Sequence, residues 1–211
     1  VVLPIVPMFH ANCWGVPYTS ALVGATQVLN GVRPDPGVIC RLIDSEKVTL
    51  SLGVPTIWIG VLDHIERSGR DYDFSSLREI VSGGAAVPTS LIQAYKEKLD
   101  VNLIQAYGMT EATPIISYNR PTSGFDNDSD GDKLQLAGTQ GAMVPGLEMR
   151  LVDDENNDIP WDGDQRGELL FKGPWIADSY YNDPRTDETF IDGWYHSGDI
   201  ASVSPEGYIQ I

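Results

Sequence analysis

The sequence predicts an α/β fold in which a mostly parallel sheet flanked by helices is followed by a small antiparallel β-barrel-like subdomain. Two patterns support this prediction. In the first half, short apolar segments alternate with amphipathic helical segments, which is typical of a parallel sheet covered on both faces. Near the end, short alternating segments are separated by turn residues, which is typical of antiparallel strands. We therefore divide the chain into an α/β part at 1–118, a polar loop at 119–138 and an antiparallel part at 139–211.

The helices of the first half have recognisable beginnings and ends. Residues 11–23 predict a first helix. Asp35 and the proline after it supply an N-cap and a first-turn residue for a second helix. A third helix begins at Pro55 and stops at Gly69, a residue that favours helix termination. A fourth follows Pro88.

The strands of the first half are apolar segments that precede or separate these helices. After the opening segment VVLPIV, the predicted strands are 25–29, 48–52, 78–82 and 101–107. Ligands bind outside the carboxyl ends of strands in such sheets. Gly83 and Gly84 follow one predicted strand, and Gly108 to Glu111 follow the next, so both places are candidate sites. In the last part, LEMRLVD, ELLFKG, DGWYHSGDIASV and GYIQI predict antiparallel strands.

Composition excludes several functional classes. Hydrophobic residues make up 42% and charged residues 21% of 211 residues, which is typical of a folded globular protein. The net charge of −16 would repel DNA, RNA and anionic membranes, so none of them is a predicted partner. No apolar run approaches the roughly 20 residues of a membrane-spanning helix. Cys13 and Cys40 show no metal-binding or disulfide spacing and predict reduced thiols in a cytoplasmic protein.

The segment QAYGMTEATP follows the last predicted parallel strand and carries candidate nucleotide-binding groups. Thr110 offers a hydroxyl and Glu111 a carboxylate, and such hard oxygen ligands suit Mg²⁺ held on nucleotide phosphates. Tyr107 can lay its ring beside a base. The alternative is a polar turn with no ligand, and the Thr–Glu pair taken alone favours that alternative.

Three further segments are candidate binding elements, each with a structural alternative. SGGAAVPTS lets the backbone approach a flat ligand closely, or it is simply a tight turn. In WYHSGDIA, Asp199 can accept two hydrogen bonds from ribose hydroxyls, or it caps a turn. We expect His196 to be structural. In PMFHANCW, His10 and Trp14 are one helical turn apart, and they line an apolar pocket or pack at a helix start.

The order of these motifs resembles that of one superfamily. PMFHANCW, SGGAAVP, QAYGMTEATP, GELLFKGPWIADSYY and GWYHSGDIA occur in the same order in the adenylate-forming enzymes. These comprise acyl-CoA synthetases, luciferases and peptide-synthetase adenylation domains. The resemblance covers essentially the whole chain. The His–x–Asn–x–Trp run at 10–14 makes the chain most similar to medium- and long-chain fatty acyl-CoA synthetases.

The resemblance implies an adenine nucleotide site. The implied nucleotide-binding residues are Gly83, Gly84, Ala85, Tyr107, Gly108, Met109, Thr110 and Asp199. The glycine turn would lie against one side of the adenine and Tyr107 against the other. Thr110 would hold the phosphates and Asp199 would accept the ribose hydroxyls. Glu111 would bind Mg²⁺.

The resemblance also implies an acyl site and a two-step reaction. His10 would lie near the acyl carboxylate, and Trp14 would gate a fatty-acid tunnel and move when ATP binds. The implied catalytic residues are His10, Thr110 and Glu111. A carboxylate oxygen would attack the α-phosphorus of ATP to give acyl-AMP and pyrophosphate, and the thiol of CoA would then displace AMP.

The adenylate-forming enzymes carry two elements that are not found in this sequence. One is a phosphate-binding loop ending in Lys-Gly upstream of PMFH, and the other is a small C-terminal domain with a catalytic lysine downstream of GYIQI. We therefore expect this chain to be a fragment of the large domain and to lack ligase activity alone. The resemblance further implies a homodimer formed through the large domain.

Two other functions remain open at this point. Within the superfamily, the acid could be aryl, short-chain or sulfur-containing, or the enzyme could be luciferase-like. The shape of the pocket decides this, and the sequence offers only Trp14 and small residues such as Ala85. Outside it, the chain could be a non-catalytic nucleotide-binding module that shares the fold. The intact motif 107–111 and Asp199 count against a module.

Overall fold

The chain forms two compact units, Val1–Ala106 and Tyr107–Ile211. The computed structural model describes residues 1–32, 34–121, 123–125 and 128–211. The three-part division into 1–118, 119–138 and 139–211 stays a prediction.

The first unit contains the predicted parallel sheet. Its strands are β1 (Val2–Pro4), β2 (Leu50–Gly53), β3 (Glu79–Ser82) and β4 (Asn102–Gly108), and the last two residues of β4 belong to the second unit. They pair in this order, and each pair is parallel. Leu3 and Ile80 are fully buried, as expected for a sheet covered on both faces.

Two helices of the first unit have boundaries at predicted capping residues. The helices are α1 (Ala11–Trp14), α2 (Val16–Leu22), α3 (Pro36–Ser45), α4 (Pro55–Ser68) and α5 (Thr89–Leu99). At the start of α3, the Asp35 carboxylate accepts a hydrogen bond from the Val38 N–H at 2.9 Å. Gly69 ends α4 in the left-handed conformation, with φ of 61°. Both boundary predictions are confirmed.

Two predictions for the beginning of the chain are wrong. The helix at 11–23 is interrupted, because Asn12 and Cys13 adopt left-handed φ values of 53° and 56° and Gly15 separates α1 from α2. The Cys13 thiol donates to the Val6 carbonyl at 2.9 Å, which holds this residue in the buried interior. The segment predicted as a strand at 25–29 makes an isolated parallel bridge between Gln27 and Val2 in place of a strand.

The strands of the second unit are antiparallel, as predicted for 139–211, and the strand at 115–118, which the prediction placed in the α/β part, joins them. The strands are β5 (Ile115–Tyr118), β6 (Gly141–Met143), β7 (Glu148–Val152), β8 (Gly167–Lys172), β9 (Phe190–Ile191), β10 (Trp194–Val203) and β11 (Tyr208–Gln210). They are hydrogen bonded in the order β5-β6-β11-β10-β8-β7, and β9 pairs with β10. The unit also contains the helices α6 (Asp130–Ala137) and α7 (Thr186–Thr189). The fully buried residues of its core include Leu169, Phe171 and Val203.

Helix α6 lies in the segment predicted as a polar loop. Ser129 is its N-cap and accepts a hydrogen bond from the Asp132 N–H at 3.2 Å, and acidic residues in the first turn complement the helix dipole. The loop prediction is therefore wrong for 130–137. Residues 122, 126 and 127 of the predicted loop lie outside the described residues. Across the described ranges, no helix is long and apolar enough to cross a membrane.

Both cysteine thiols should resist alkylation in the folded protein. Cys13 and Cys40 are free and fully buried, and burial raises the pKa of Cys40 to about 11. Since the thiolate is the reactive form, we expect no modification by iodoacetamide near about pH 8, and complete modification in denaturant. Mass spectrometry of the two samples measures the difference. Rapid labelling of either cysteine before unfolding would contradict this prediction.

Candidate nucleotide site

The turn after β4 is closed by close approach of its own backbone. The Met109 N–H donates to the Pro114 carbonyl at 2.8 Å, and the Ala112 N–H donates to the Met109 carbonyl at 3.1 Å. A Cβ atom added to Gly108 would lie 1.8 Å from the Pro114 carbonyl oxygen. Only glycine therefore fits at this position of the motif.

The same turn separates a buried anchor from two polar side chains. Ala112 is fully buried in the core of the second unit, and Met109 packs against that core. Thr110 is exposed and Glu111 is half-buried. The turn therefore holds Thr110 and Glu111 at the surface of a rigid support.

Glu111 is held at both its backbone and its side chain. Its Oε1 accepts a hydrogen bond from the Tyr180 hydroxyl at 2.7 Å. Its backbone carbonyl accepts one from the Ala177 N–H at 2.8 Å. Both donors lie on the loop after β8, so that loop fixes the position of the carboxylate.

Asp199 is hydrogen bonded to Tyr107, the aromatic residue of QAYGMTEATP. The Tyr107 hydroxyl donates to Asp199 Oδ2 at 2.5 Å. Burial and, second, this bond to Asp199 raise the pKa of Tyr107, so its phenol stays protonated and remains a donor. The Asp199 N–H donates to the Ser197 Oγ at 3.1 Å. Among the described residues, no side-chain or backbone donor bonds to Asp199 Oδ1, so this oxygen can accept a hydrogen bond from a ligand.

A bulge in β10 shapes the chain just before Asp199. The register of β10 against β8 shifts between His196 and Ile200, and Gly198 has a φ of 73°. The Glu168 carboxylate accepts the Gly198 N–H at 2.9 Å and contacts His196 Nδ1 at 3.1 Å. Glu168 and His196 therefore hold the bulge in place, which fits the structural role expected for His196.

Tyr195 is a protonated phenol in β10. Burial is the largest cause that raises its pKa, and the charges of Glu111 and Asp199 raise it further. Two hydrogen bonds place these acidic groups, because Tyr180 donates to Glu111 and Tyr107 donates to Asp199. Tyr107 and Glu111 are four residues apart at the end of β4, so one short segment carries both Glu111 and the donor to Asp199.

The predicted site residues of the first unit lie in two segments. His10 and Trp14 follow β1, and Gly83 to Ala85 come directly after β3. Trp14 is half-buried, and its Cη2 is 3.4 Å from where a Cβ on Gly83 would lie. The same Cβ would lie 2.8 Å from the Ala106 carbonyl oxygen, so Gly83 also needs to be glycine. Gly84 and Ala85 are exposed, and Gly84 has a φ of 79°.

His10 is exposed and precedes the left-handed segment. His10 and Trp14 are one helical turn apart, with the Trp14 N–H donating to the His10 carbonyl at 3.4 Å, but the turn is left-handed because every residue from Ala11 to Trp14 has a positive φ. The structure thus brings Trp14 and Gly83 together, but not through an ordinary helix.

Comparison with known proteins identifies the family. A model of the AMP-binding enzyme family matches residues 1–181. The chain belongs to this family. It is 41% identical to a long-chain-fatty-acid–CoA ligase of Thermus thermophilus and to a 3-methylmercaptopropionyl-CoA ligase of Ruegeria lacuscaerulensis. It is 39% identical to a medium-chain-fatty-acid–CoA ligase of Ectopseudomonas oleovorans.

These alignments cover 100% of the chain but 39%, 39% and 38% of the three relatives. Solved structures of the same fold also match. The N-terminal domain of FACL13 from Mycobacterium tuberculosis superimposes with a TM-score of 0.83 at 26% identity, covering 100% of this chain and 49% of that one. A benzoate CoA ligase from Burkholderia xenovorans gives a TM-score of 0.83 at 27% identity, with 99% and 40% covered. The α/β prediction is confirmed.

The carboxylate of Glu111 suits a cation that is shared with a substrate. Among the described residues, no group of three or more His, Cys, Asp or Glu side chains could hold a metal ion. Glu111 supplies one carboxylate, whose Oε1 is oriented by a hydrogen bond. Mg²⁺ commonly binds through one or two carboxylates together with substrate phosphates and water. The residues therefore fit Mg²⁺ bound with a nucleotide.

Sequence reasoning did not select three residues that organise the site. They are Glu168, Tyr180 and Tyr195. All three lie in motifs that carried the resemblance, GELLFKGPWIADSYY and GWYHSGDIA. The signal was present in the motifs, but the partner of each side chain depends on the fold.

Proposed function

We propose that this chain is part of an ATP-dependent carboxylate–CoA ligase that forms acyl-AMP from a fatty acid and transfers the acyl group to CoA. The observation that carries the proposal is that Glu111 lies four residues after Tyr107, whose hydroxyl donates to Asp199. One carboxylate suits a metal ion on phosphates and the other suits a ribose. The likeness to three CoA ligases supports the same reaction.

In the second unit, the proposal gives each polar group one task. Asp199 accepts ribose hydroxyls, while Tyr107 keeps one of its oxygens occupied and its carboxylate oriented. Thr110 donates its exposed hydroxyl to phosphate oxygens. Glu111 holds Mg²⁺, which when bound would neutralise charge on the phosphates. The contribution of the protein is chiefly positioning and charge neutralisation.

In the first unit, the proposal assigns recognition of the adenine and of the acid. Gly83, Gly84 and Ala85 offer backbone and a small side chain to a flat base. His10 holds the acid carboxylate for attack on the α-phosphorus. Trp14 lines the acyl tunnel as its gate.

The acid that we propose is a medium- or long-chain fatty acid. Two of the three relatives are named for such acids, and the third is named for a sulfur-containing short acid at the same 41% identity as the first. The short sulfur-containing acid is therefore the alternative substrate. We also propose a cytoplasmic location, because both cysteines are free thiols. A homodimer stays a prediction.

The test is carboxylate-dependent exchange of pyrophosphate into ATP by the complete protein that contains this chain. We expect exchange with hexanoate and palmitate in the presence of Mg²⁺, and thioester formation when CoA is added. We expect none from residues 1–211 alone, which match only about two fifths of each ligase relative. Panels containing 3-methylmercaptopropionate and benzoate separate the alternative acids.

Two results would contradict the proposal. The complete protein could bind AMP in a calorimetric titration and yet show no pyrophosphate exchange with any of the acids tested. That result would indicate a non-catalytic module. Clear exchange by the isolated chain would show that residues 1–211 need no further segment for adenylation.

A further inference from the structure

We infer that Tyr180 is a positioning residue for the metal-binding carboxylate, because its hydroxyl holds Glu111 in the orientation that accepts Mg²⁺. This inference rests on the proposed function, since that function gives Glu111 its metal. Tyr180 lies in the segment IADSYY, and its hydroxyl is 2.7 Å from Glu111 Oε1.

The loop that carries Tyr180, residues 173–180, is hydrogen bonded along the turn that carries Glu111. The Thr113 hydroxyl donates to the Trp175 carbonyl at 3.0 Å, and the Trp175 indole N–H donates to the Ile115 carbonyl at 3.2 Å. The Ala177 N–H donates to the Glu111 carbonyl at 2.8 Å. These three bonds fix the main chain of the loop relative to the turn.

The bond from Tyr180 differs from the other three in its acceptor. Thr113, Trp175 and Ala177 donate hydrogen bonds to backbone carbonyls. Tyr180 donates to the carboxylate of Glu111, a group that can also bind a metal ion. The first three bonds constrain the main chain of the loop relative to the turn. The Tyr180 hydroxyl adds a constraint on the side-chain torsions of Glu111, which no backbone bond can supply.

Tyr180 is itself held in place, so its hydroxyl is a fixed donor. Its ring meets Phe190 edge-on at 5.3 Å, and the Arg185 guanidinium lies over it at 5.4 Å. Its backbone N–H donates to the Thr186 hydroxyl at 2.9 Å.

A fixed donor on one carboxylate oxygen matters for metal binding. A free glutamate loses several rotamers when it binds a cation, and that entropic cost reduces affinity. A hydrogen bond that already selects the rotamer removes part of the cost and directs the remaining lone pairs to the metal. Loss of such an outer partner commonly lowers metal affinity by about 10- to 100-fold.

The experiment compares Tyr180→Phe with Tyr181→Phe in the complete protein. The neighbouring Tyr181 is fully exposed, so its variant is a matched control for loss of one phenolic hydroxyl. The first readout is the affinity for Mn²⁺ in the presence of α,β-methylene-ATP, measured by electron paramagnetic resonance of free Mn²⁺. We expect about tenfold weaker binding by Tyr180→Phe and unchanged binding by Tyr181→Phe.

A second readout is the Mg²⁺ concentration that half-saturates acid-dependent pyrophosphate exchange. It should rise about tenfold in Tyr180→Phe, while the rate at saturating Mg²⁺ changes little. A variant in which the melting temperature or the maximal rate falls but the Mn²⁺ affinity does not would overturn the inference, because Tyr180 would then be only structural. Equal Mn²⁺ affinity in both variants would also overturn it.

The two proposals fail in different ways. If the wild-type protein binds Mn²⁺ with the analogue but shows no exchange with any acid, the proposed function fails, and the Mn²⁺ comparison still tests Tyr180. If the wild-type protein exchanges pyrophosphate and Tyr180→Phe has the wild-type requirement for Mg²⁺, only the inference fails. Absence of Mn²⁺ binding by the wild-type protein would overturn both.

Discussion

Glu111→Gln should lower Mg²⁺-dependent adenylation by the complete protein about 100-fold or more. The amide has the same shape and can still accept the hydrogen bond from the Tyr180 hydroxyl, which lies 2.7 Å from Glu111 Oε1. It lacks the negative charge that a hard divalent cation requires of its ligand. A metal contributes several kcal/mol to charge stabilisation, and about 1.4 kcal/mol corresponds to a tenfold change in rate.

The fold should not change in this variant. Glu111 is half-buried, and its backbone bond to Ala177 is independent of the side chain. The measurement is the rate of acid-dependent pyrophosphate exchange at saturating Mg²⁺, with the melting temperature recorded on the same sample. Glu188→Gln is the control, because it removes the same charge from an exposed position on α7. Near-normal exchange by Glu111→Gln would show that Glu111 is not the metal ligand.

The parts of the fold that the sequence predicts well depend on local interactions. Asp35 caps α3 through the N–H three residues later, and Gly69 ends α4 by its own backbone conformation. The parallel sheet follows from the alternation of apolar strands with amphipathic helices, which is also a local pattern. The candidate site residues are predicted in a similar way, because each of them lies in a short motif that resembles the same family.

The parts that the sequence does not predict depend on distant partners. Tyr107 and Asp199 are 92 residues apart, and Glu111 and Tyr180 are 69 residues apart. No spacing rule relates such positions. The left-handed turn at 11–14 is also not predictable from the sequence, because none of its four residues is a glycine.

Gly108→Ala should destabilise the protein by about 3 kcal/mol or more. The added methyl carbon would lie 1.8 Å from the Pro114 carbonyl oxygen and 3.1 Å from the Ile115 Cα, and both are backbone atoms that cannot rotate away. Overpacking commonly costs about 1–3 kcal/mol, and a clash with backbone lies at or above the upper end. The measurement is the shift in the midpoint of urea unfolding, followed by tryptophan fluorescence.

Gly131→Ala is the control for this prediction. Gly131 lies in α6, where an added Cβ would come no closer than 3.7 Å to the Ser129 Oγ, so alanine should be neutral or stabilise the helix by about 0.5–1 kcal/mol. The contrast isolates the close approach at Gly108 from the general effect of replacing a glycine.

The loss of stability at Gly108 should be accompanied by loss of the site. Relieving the clash requires the turn to open, and opening would break the bond from the Met109 N–H to the Pro114 carbonyl at 2.8 Å. Thr110 and Glu111 lie inside that turn, so they would move with it. A Gly108→Ala protein whose unfolding midpoint and Mn²⁺ affinity both equal those of wild type would contradict this account of how the backbone supports the metal-binding carboxylate.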